Sequence, residues 1–431
     1  MHYIYKDISN FSSFKTIKKA KVFFPKDVLE IIECTKKKYN LFGNLKSYGD
    51  SVLGKKKFFS LIKFKSIDID EKKKVADVGS GLLLNELLVE TLKKKLILPC
   101  MPGTKYVTIG GMIASDIEGK IANTKGNNIK DYIIEIKILY KNRIFICSSK
   151  KNVYLFNSVV GGLGFTGIIL SAKLKLCKIQ SQYISQKIIK FENFESFKKI
   201  SKTIFKYNYA TAWVDFSKKK LNGLYFTGKH KRLTKVKGLI EKINTTEYFI
   251  YKLFLLFINF FLRKKVFIFF FNKLFKIKNL FIENKNISIY NFFFPQDKII
   301  NFRDFFSKSG LLVFQFQLKI NDLDFLYNKI RNELLKNDLF SYFVIIKFFN
   351  KKKENKISLS FSFILDKNFK RIKKILNILT KKFNLNIKLS KDCYLETLNT
   401  EIIRNNNFLK KKYIFNNLNS LMFKRLIKNH E

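Results

Sequence analysis

The stretch Pro102–Lys120, PGTKYVTIGGMIASDIEGK, constrains the fold of this chain more than any other part of the sequence. It is rich in Gly, Ala and Ser, whereas the rest of the chain favours Phe, Ile and Lys. Small residues let one backbone segment approach another, or approach a flat ligand. The pattern predicts a strand that ends near Thr108, a turn at Gly110 and Gly111, and a helix after it. Such a turn either packs tightly in a core or offers N–H groups to a phosphate.

Two other glycine-rich segments accompany this stretch. Gly43–Asp50 (GNLKSYGD) follows a predicted strand and contributes backbone N–H groups, a hydroxyl and an aromatic ring. It is either a ligand-binding loop or an ordinary surface loop. Gly161–Leu170 (GGLGFTGIIL) again places glycines directly before a β-branched strand. Several glycine-rich strand edges in one domain are harder to explain by packing alone.

Composition indicates a folded protein with a basic surface. The chain has 431 residues, 47% of them hydrophobic, which is enough for two or three domains. Its formal net charge of +51 would attract polyanions such as phosphorylated substrates or anionic lipid. Alternatively, lysines have simply replaced neutral residues on the surface. The lysines occur in short runs everywhere and without a nucleic-acid-binding motif, so no nucleic-acid partner is expected.

Cysteine and histidine usage argues against disulfides and metal. The five cysteines are spread along the chain without a CxxC pair, and the three histidines do not cluster. No metal site is therefore expected. The N-terminus lacks the apolar segment of a signal peptide, and no apolar run is long enough for a transmembrane helix. We expect a cytoplasmic protein, or one peripherally associated with the inner membrane.

Strands alternate with helices over the first 170 residues, which predicts α/β or α+β layers, and of the two we expect an α+β fold. We place a first domain at residues 15–178, a second at 179–400 and a C-terminal segment at 401–431 that returns to the first. In the second domain, Leu311–Ile320 alternates so that two glutamines share one face, and Ile357–Leu365 does the same with three serines. These polar faces either meet solvent or line a pocket. The apolar run Leu253–Phe271 either lies in a membrane interface or forms buried helices.

The order of these segments resembles FAD-linked oxidases of the vanillyl-alcohol oxidase type, which carry a PCMH-type FAD-binding domain. It is most similar to the branch that contains the decaprenylphosphoryl-ribose oxidases. The resemblance covers residues 20–428 and depends on eight blocks in order: Gly43–Asp50, Pro102–Lys120, Gly161–Leu170, Ala212–Asp215, Phe292–Asp297, Phe314–Gln317, Lys347–Phe349 and Ser390–Asp392.

The resemblance implies a two-subdomain FAD-binding domain and a cap domain with an antiparallel sheet flanked by helices. It implies non-covalent FAD, because no His or Cys stands at the usual attachment positions. The residues that match FAD contacts are Asn44, Lys46, Ser47, Tyr48, Gly49, Asp50, Gly103, Thr108, Ile109, Gly110, Gly111, Ser115, Asp116, Ile117, Glu118 and Ile168. We expect the N–H groups of Gly103, Gly110 and Gly111 to bind the pyrophosphate.

The same resemblance implies the substrate side. Lys391, Gln317 and Lys347 are the candidate catalytic residues, and Gln315, Trp213 and Ser360 the candidate substrate-binding residues. Lys391 could stabilise negative charge or act as a base. A lone Trp is also a common core residue.

The implied reaction is oxidation of a secondary alcohol of a sugar or polyprenyl-phosphoryl sugar by hydride transfer to flavin N5, as one half of an epimerisation. A separate short-chain NAD(P)-dependent reductase would be the partner, and an anionic membrane surface a peripheral contact. The alternatives are an aldonolactone oxidase-like enzyme and a degenerate flavin-binding protein without turnover.

The chain departs from the family pattern at several positions. Glu118 stands where His is usual, and the His-rich stretch is replaced by Ile121–Thr124. Leu45 replaces a glycine, Lys388 replaces an aromatic residue that contacts flavin, and Ser360 replaces a common cysteine. A negative charge at Glu118 would alter the reduction potential of the flavin.

Overall fold

The computed structural model describes residues 2–122, 126–230, 265–280, 284–298, 310–351, 354–365, 369–399, 402–403, 406 and 420–426. The chain divides into two compact units. Unit 1 comprises Met1–Gly119, Gly126–Ile179 and Lys373–Glu431, and unit 2 comprises Lys120–Lys125 and Gln180–Ile372. The sequence-based boundaries were drawn at 178/179 and 400/401, whereas the units divide the chain at 179/180 and 372/373.

Unit 1 contains two larger sheets and several short helices. The first sheet has the order β1-β2-β4-β3, and the second has the order β5-β6-β10-β8-β9. Its strands are β1 (Tyr3–Ser9), β2 (Thr16–Phe23), β3 (Asn40–Phe42), β4 (Lys57–Ser60), β5 (Ile67–Asp70), β6 (Val75–Gly79), β7 (Leu96–Ile97), β8 (Ile133–Tyr140), β9 (Arg143–Cys147), β10 (Ile168–Lys175) and β11 (Cys177–Lys178). Its helices are α1 (Val28–Lys36), α2 (Leu84–Lys93), α3 (Ile109–Ala114) and α4 (Val153–Val159).

The two sheets of unit 1 differ in strand direction. In the first sheet, β4 pairs in parallel with both β2 and β3, because helix α1 connects the strands over one face. In the second sheet all four strand pairs of the described residues are antiparallel, with the β5–β6 hairpin at one edge. Apolar side chains of α1, β2, β4 and β10 meet in one buried cluster. This core fixes the loops that follow β3 and β6.

Unit 2 is built on a large antiparallel sheet with the strand order β15-β12-β14-β13-β17-β18-β16. These strands are β12 (Tyr183–Phe191), β13 (Tyr209–Val214), β14 (Gly223–His230), β15 (Asn284–Ser288), β16 (Leu311–Lys319), β17 (Phe343–Lys351) and β18 (Glu354–Ile364). The helices after residue 179 are α5 (Phe194–Ser201), α6 (Lys265–Leu280), α7 (Ile289–Phe293), α8 (Leu323–Lys336) and α9 (Phe369–Lys382). Beyond α9, β19 (Asn386–Ile387) and α10 (Leu421–Leu426) belong to unit 1.

Helices cover the sheet of unit 2 through aromatic contacts. Phe197 of α5 stacks on Phe348 of β17 with ring centroids 6.0 Å apart, and Tyr327 of α8 stacks on Phe361 of β18 at 6.3 Å. On another part of the sheet, Phe275 of α6 contacts Trp213 at 4.9 Å. These contacts place aromatic rings between the helices and the sheet, and the predicted α+β fold with an antiparallel sheet flanked by helices is confirmed.

Two sequence-based expectations concern residues that the structure describes only in part. Of Leu253–Phe271, only residues 265–271 are described, and they begin helix α6. Of Ile121–Thr124, residues 123–124 lie outside the described residues. Within the described residues, no helix is both long enough and apolar enough to cross a membrane.

Candidate functional site

Helix α3 lies at the centre of the glycine-rich part of unit 1. It begins at Ile109, earlier than the sequence pattern predicted, because Thr108 acts as its N-cap and accepts a hydrogen bond from the Gly111 N–H at 3.2 Å. The Gly110 N–H donates to Ser80 O at 2.8 Å. Both N–H groups are thus used inside the protein. The Gly110 N–H has its partner in the Gly79–Gly81 turn, and the expectation that these N–H groups bind a pyrophosphate stays a prediction.

The loop Gly43–Asp50 packs directly against this turn. A Cβ atom added to Gly43 would lie 2.3 Å from Thr108 Oγ1, so only glycine fits there. Asn44 Nδ2 donates to Tyr106 O at 2.7 Å. Leu45, which replaces a glycine of the family, has a φ of 53°, in the left-handed region that favours glycine. A glycine at position 45 would adopt this backbone conformation more easily than leucine.

The third glycine-rich segment closes the other end of α3. The Gly161 N–H donates to Ile113 O at 3.0 Å, and the Leu163 N–H donates to Ala114 O at 2.8 Å. Gly161 has a φ of +79°, and an added Cβ would lie 3.2 Å from Asp116 Cβ. The three segments that the sequence singled out therefore converge on one short helix.

A buried hydroxyl and an exposed glycine are the two features of this region that bear on a ligand. Ser80 Oγ is buried and has no hydrogen-bond partner within the described part of the chain. Gly103 is exposed, and an added Cβ there would meet no atom within 4 Å. A buried hydroxyl left unsatisfied costs free energy unless a ligand or water pairs with it. These residues, with the small side chains of Ala114 and Ser115, fit a flat dinucleotide cofactor.

Other candidate cofactor residues have structural roles in unit 1. The Asp116 carboxylate accepts hydrogen bonds from Asn128 Nδ2 at 2.7 Å and from the Lys130 N–H at 3.2 Å. The Ile117 N–H donates to Met112 O at 3.2 Å, and Ile168 is 1% exposed within the core. Asp116, Ile117 and Ile168 thus shape the site through hydrogen bonds within the chain and through packing. Lys46 and Ser115 are half-buried.

Lys391 lies beside the Gly43–Asp50 loop. Its Nζ is 4.9 Å from the centroid of the Tyr48 ring, a cation–π distance. Ser390 O accepts hydrogen bonds from the Gly49 N–H at 3.2 Å and from Ser47 Oγ at 2.8 Å. The structure therefore brings Lys391 together with Ser47, Tyr48 and Gly49, although they are more than 300 residues apart in sequence.

A buried charge cluster stabilises the contact between the Lys391 turn and the Gly43–Asp50 loop. Arg425 of α10 donates from Nη2 to Asp50 Oδ1 at 2.7 Å and to Asp392 Oδ2 at 2.9 Å, and from Nε to Asp50 Oδ2 at 3.2 Å. Burial raises the pKa of Asp50 to about 6, and Arg425 opposes that rise. The Asp50 carboxylate thus binds Arg425. Sequence reasoning missed Arg425, because an Arg in a basic C-terminal segment gives no local signal.

Glu118 and Lys388, two departures from the family pattern, form an ion pair. Lys388 Nζ lies 3.6 Å from Glu118 Oε1 and donates to Asp116 O at 2.8 Å. The charge at Glu118 is therefore balanced within unit 1. The expectation that Glu118 alters the reduction potential of the flavin stays a prediction.

The sheet of unit 2 carries a polar row on one face. In the strand register, Gln315 lies opposite Ser360 and Gln317 lies opposite Ser358, which in turn lies opposite Lys347. Residues directly opposite in antiparallel strands point to the same face. Gln315 Nε2 also donates to Ser358 Oγ at 2.8 Å. The prediction that the two glutamines share one face of their strand is confirmed, and the register places Lys347, Ser358 and Ser360 on that same face.

Trp213 lies on the same face but belongs to the core. It is 1% exposed and packs with Ile188 and Leu224, and α6 covers it through Phe275. Its position supports the core interpretation and not a direct substrate contact.

Lys120 is a residue of unit 2 that sequence reasoning quoted without assigning a role. Its Nζ donates to Phe292 O at 2.8 Å and to Phe293 O at 3.3 Å. The Lys120 carbonyl accepts from the Ala210 N–H, which places this segment alongside the end of β13 next to β17. Burial, and secondly the charge of Lys347, lower the pKa of Lys120 to about 7. The clue in the sequence was a lysine directly after the glycine-rich segment.

Comparison with known proteins relates this part of the chain to a family of domains. The family model described as "FAD binding domain" matches residues 22–142, which contain the Gly43–Asp50 loop and α3. Residues 22–142 are thus an FAD binding domain, and the resemblance to FAD-linked oxidases is confirmed over this region.

Several curated proteins are similar to part of this chain. The chain is 32% identical over 117 residues to decaprenylphosphoryl-beta-D-ribose oxidase of Mycolicibacterium smegmatis, which covers 27% of this chain and 25% of the relative. It is 30% identical over 162 residues to D-lactate dehydrogenase of Anaerostipes hadrus, covering 36% of this chain and 33% of the relative. It is 29% identical over 118 residues to L-gulonolactone oxidase 5 of Arabidopsis thaliana, covering 26% and 20%. The chain thus spans a third or less of each of these relatives.

Proposed function

We propose that this protein is an FAD-dependent oxidoreductase that oxidises a secondary alcohol of a sugar or a polyprenyl-phosphoryl sugar. The observation that carries the proposal is the position of Lys391 over Tyr48, beside the loop of the FAD binding domain. When bound, FAD would accept the hydride of the substrate carbinol carbon. The relative named as a decaprenylphosphoryl-beta-D-ribose oxidase supports the sugar-lipid class.

Residues of unit 1 would hold the cofactor without a covalent bond. Gly103 and Ser80 offer open polar groups, and Asn44 and Gly43 hold the loop against the N-cap of α3. This chain's own contribution is rigidity, because the Gly110 and Gly111 N–H groups are already paired. A preorganised site avoids the free-energy cost of ordering loops when the ligand binds.

Lys391 would act on the hydroxyl group of the substrate that is oxidised. Its Nζ would stabilise an alkoxide or accept the hydroxyl proton, and Tyr48 and Ser390 keep the turn that carries it in place. That Gln315, Gln317 and Lys347 of unit 2 contact the substrate stays a prediction. If the reaction is half of an epimerisation, a separate nicotinamide-dependent reductase would return the hydride.

The function is tested by anaerobic titration of the purified FAD-loaded protein with a polyprenyl-phosphoryl pentose. Bleaching of the flavin absorbance supports the proposal, and Lys391→Met should slow it by about 100-fold or more. Lys141→Met is the matched control, since Lys141 lies 5.5 Å from the ring of Tyr140 but at a surface hairpin. Unchanged reduction in Lys391→Met would exclude Lys391 from the reaction.

Two other outcomes identify the alternatives. Bleaching by an aldonolactone but not by the pentose lipid would indicate the activity named in the gulonolactone oxidase relative. A protein that binds FAD and is reduced by neither would be a flavin-binding protein without turnover.

We further propose a peripheral contact with anionic membrane through helix α6. Its exposed face carries Phe270, Leu274 and Ile277, at 57%, 48% and 41% exposure, with Lys273 and Lys278 beside them. The helix sequence contains four lysines and no acidic residue. Apolar and basic residues on one face are typical of interfacial helices.

Vesicle co-sedimentation tests this contact. We expect binding to vesicles that contain an anionic lipid and weak binding to neutral ones. Leu274→Glu should reduce it, whereas Ile378→Glu, at an exposed apolar position of α9, should not. Equal binding of both variants would refute the assignment to α6.

A further inference from the structure

The turn between β1 and β2 donates hydrogen bonds to three consecutive carbonyl groups of the Gly43–Asp50 loop. These bonds run from the Phe11 N–H to Ser47 O at 2.8 Å, from Asn10 Nδ2 to Tyr48 O at 2.7 Å and Gly49 O at 2.9 Å, and from Ser12 Oγ to Tyr48 O at 2.6 Å. Asn10 and Ser12 are both 0% exposed, so water does not compete for these carbonyl groups.

The N–H groups of the same loop bond to the turn that carries Lys391. The Gly49 N–H donates to Ser390 O at 3.2 Å, and the centroid of the Tyr48 ring lies 4.9 Å from Lys391 Nζ. The loop is therefore bonded through its carbonyl groups to the β1–β2 turn and through its N–H groups to the Lys391 turn. Tyr48 belongs to both contacts.

The β1–β2 hairpin is anchored independently of this loop. Ile8 of β1 is 0% exposed and packs in a buried cluster with Ala20 of β2. The Phe11 ring lies edge-on to the Tyr48 ring with centroids 4.9 Å apart. The turn precedes residues 22–142, the range matched by the FAD binding domain family. A fixed element outside that range thus supports a loop inside it.

The side-chain amide of Asn10 has one orientation that fits this contact. Its Nδ2 faces two carbonyl oxygens, so a flipped amide would place Oδ1 against them. In the present orientation Oδ1 is buried and has no hydrogen-bond partner among the residues that the structure describes. An unsatisfied buried acceptor costs free energy. Asn10 thus bonds the loop at the expense of its own oxygen, which points to a role in the position of the loop.

We propose that Asn10 and Ser12 are positioning residues of the oxidation reaction. By bonding the Tyr48 carbonyl they hold Tyr48 against the Lys391 turn, and they thereby set where the Lys391 ammonium lies. The inference rests on the function proposed above, in which Lys391 acts on the substrate hydroxyl. A small displacement of such a group costs a large factor in rate.

Removing these donors should slow the reaction only where Lys391 takes part in it. Asn10→Ala removes both Nδ2 bonds and should slow the reduction of FAD by saturating polyprenyl-phosphoryl pentose about tenfold. In a Lys391→Met background the same change should slow it by less than about twofold, because the displaced ammonium is absent. A general loss of structure would act equally in both backgrounds.

Amide hydrogen exchange of the full-length apoprotein reports on the loop without substrate or cofactor. Asn10→Ala should raise the exchange rate of residues 47–50 about tenfold and leave that of β8 unchanged. Ser12→Ala removes one bond to Tyr48 O and should give the same pattern with a smaller effect. This second variant keeps the test informative if Asn10→Ala folds poorly.

Asn152→Ala is the matched control. Asn152 Nδ2 also donates to a backbone carbonyl, Ile146 O at 2.8 Å, but it lies at the exposed turn before α4. The control should change neither the exchange of residues 47–50 nor the rate of FAD reduction.

Faster exchange at residues 47–50, with a loss of rate that disappears in the Lys391→Met background, supports the proposal. Unchanged exchange overturns it, and so does an equal loss of rate in both backgrounds. A wild-type protein whose FAD is not reduced by the pentose lipid refutes the function proposed above and, with it, the link between Asn10 and the reaction. That failure is distinguishable, because the exchange measurement uses no substrate and still decides whether Asn10 holds the loop.

Discussion

Removal of the Arg425 side chain should strongly destabilise unit 1. Among the described residues, the Arg425 guanidinium donates four hydrogen bonds: three to Asp50 and Asp392, and one to Leu395 O. The side chains of Asp50 and Asp392 are 3% and 0% exposed. Arg425→Met keeps the apolar part of the side chain and removes every one of these bonds. Two carboxylates would then be buried without a cation.

The expected loss follows from the cost of an unpaired buried charge. Removing one partner of a buried ion pair typically costs about 3–5 kcal/mol. Leu395 O loses a donor as well, at about 1 kcal/mol. A typical domain is stable by only about 5–15 kcal/mol, so Arg425→Met should lose a third or more of its free energy of unfolding. FAD affinity should fall with it, because Asp50 ends the Gly43–Asp50 loop.

Chemical denaturation of the wild type and variants measures this loss. Asp50→Asn/Asp392→Asn/Arg425→Met, which removes all three charges, should recover more than half of it. Lys93→Met, which breaks the exposed Lys93–Glu90 pair, should cost less than about 1 kcal/mol. If the free energy of unfolding of Arg425→Met lies within about 1 kcal/mol of the wild-type value, the buried cluster does not hold the loop and the reasoning fails.

Further predictions concern pH and backbone conformation. Because burial raises the pKa of Asp50 to about 6 from 3.8, folded Asp50 binds more protons than unfolded Asp50 between these values, so its contribution to stability increases as the pH falls from 6 to 4. Asp50→Asn should remove that dependence in denaturation curves. The pKa of Lys120 is lowered to about 7 in the folded protein, so above pH 7 the unfolded chain binds a proton at Lys120 that the folded protein has lost. The free energy of unfolding should therefore rise from pH 7 to 9 in the wild type, and rise less in Lys120→Met. An equal slope in both proteins would contradict the lowered pKa of Lys120. Gly161→Ala should cost about 1–2 kcal/mol, because its φ of +79° is left-handed, whereas Gly103→Ala, with open space around it, should be nearly neutral in thermal unfolding.

Much of the fold could be predicted from sequence pattern. Strict alternation placed Gln315 and Gln317 on one face of β16, and the strand register confirms it. Glycine clusters marked the three segments that meet at α3. Both signals are local, so a single sequence contains them.

The rest depended on contacts between distant segments. The partners of the Gly110 N–H and of Asp50 are Ser80 and Arg425, and no spacing rule connects such residues. The ion pair between Glu118 and Lys388 could likewise not be predicted, because the two positions are far apart in the sequence and were considered one at a time. Tertiary contacts decide whether a polar group is available to a ligand.

The central claim is that unit 1 binds FAD without a covalent bond, and the visible absorption spectrum of the purified protein tests it most directly. We predict a flavin spectrum, with intact FAD released when the protein is denatured. A folded but colourless protein that does not take up added FAD would contradict the claim.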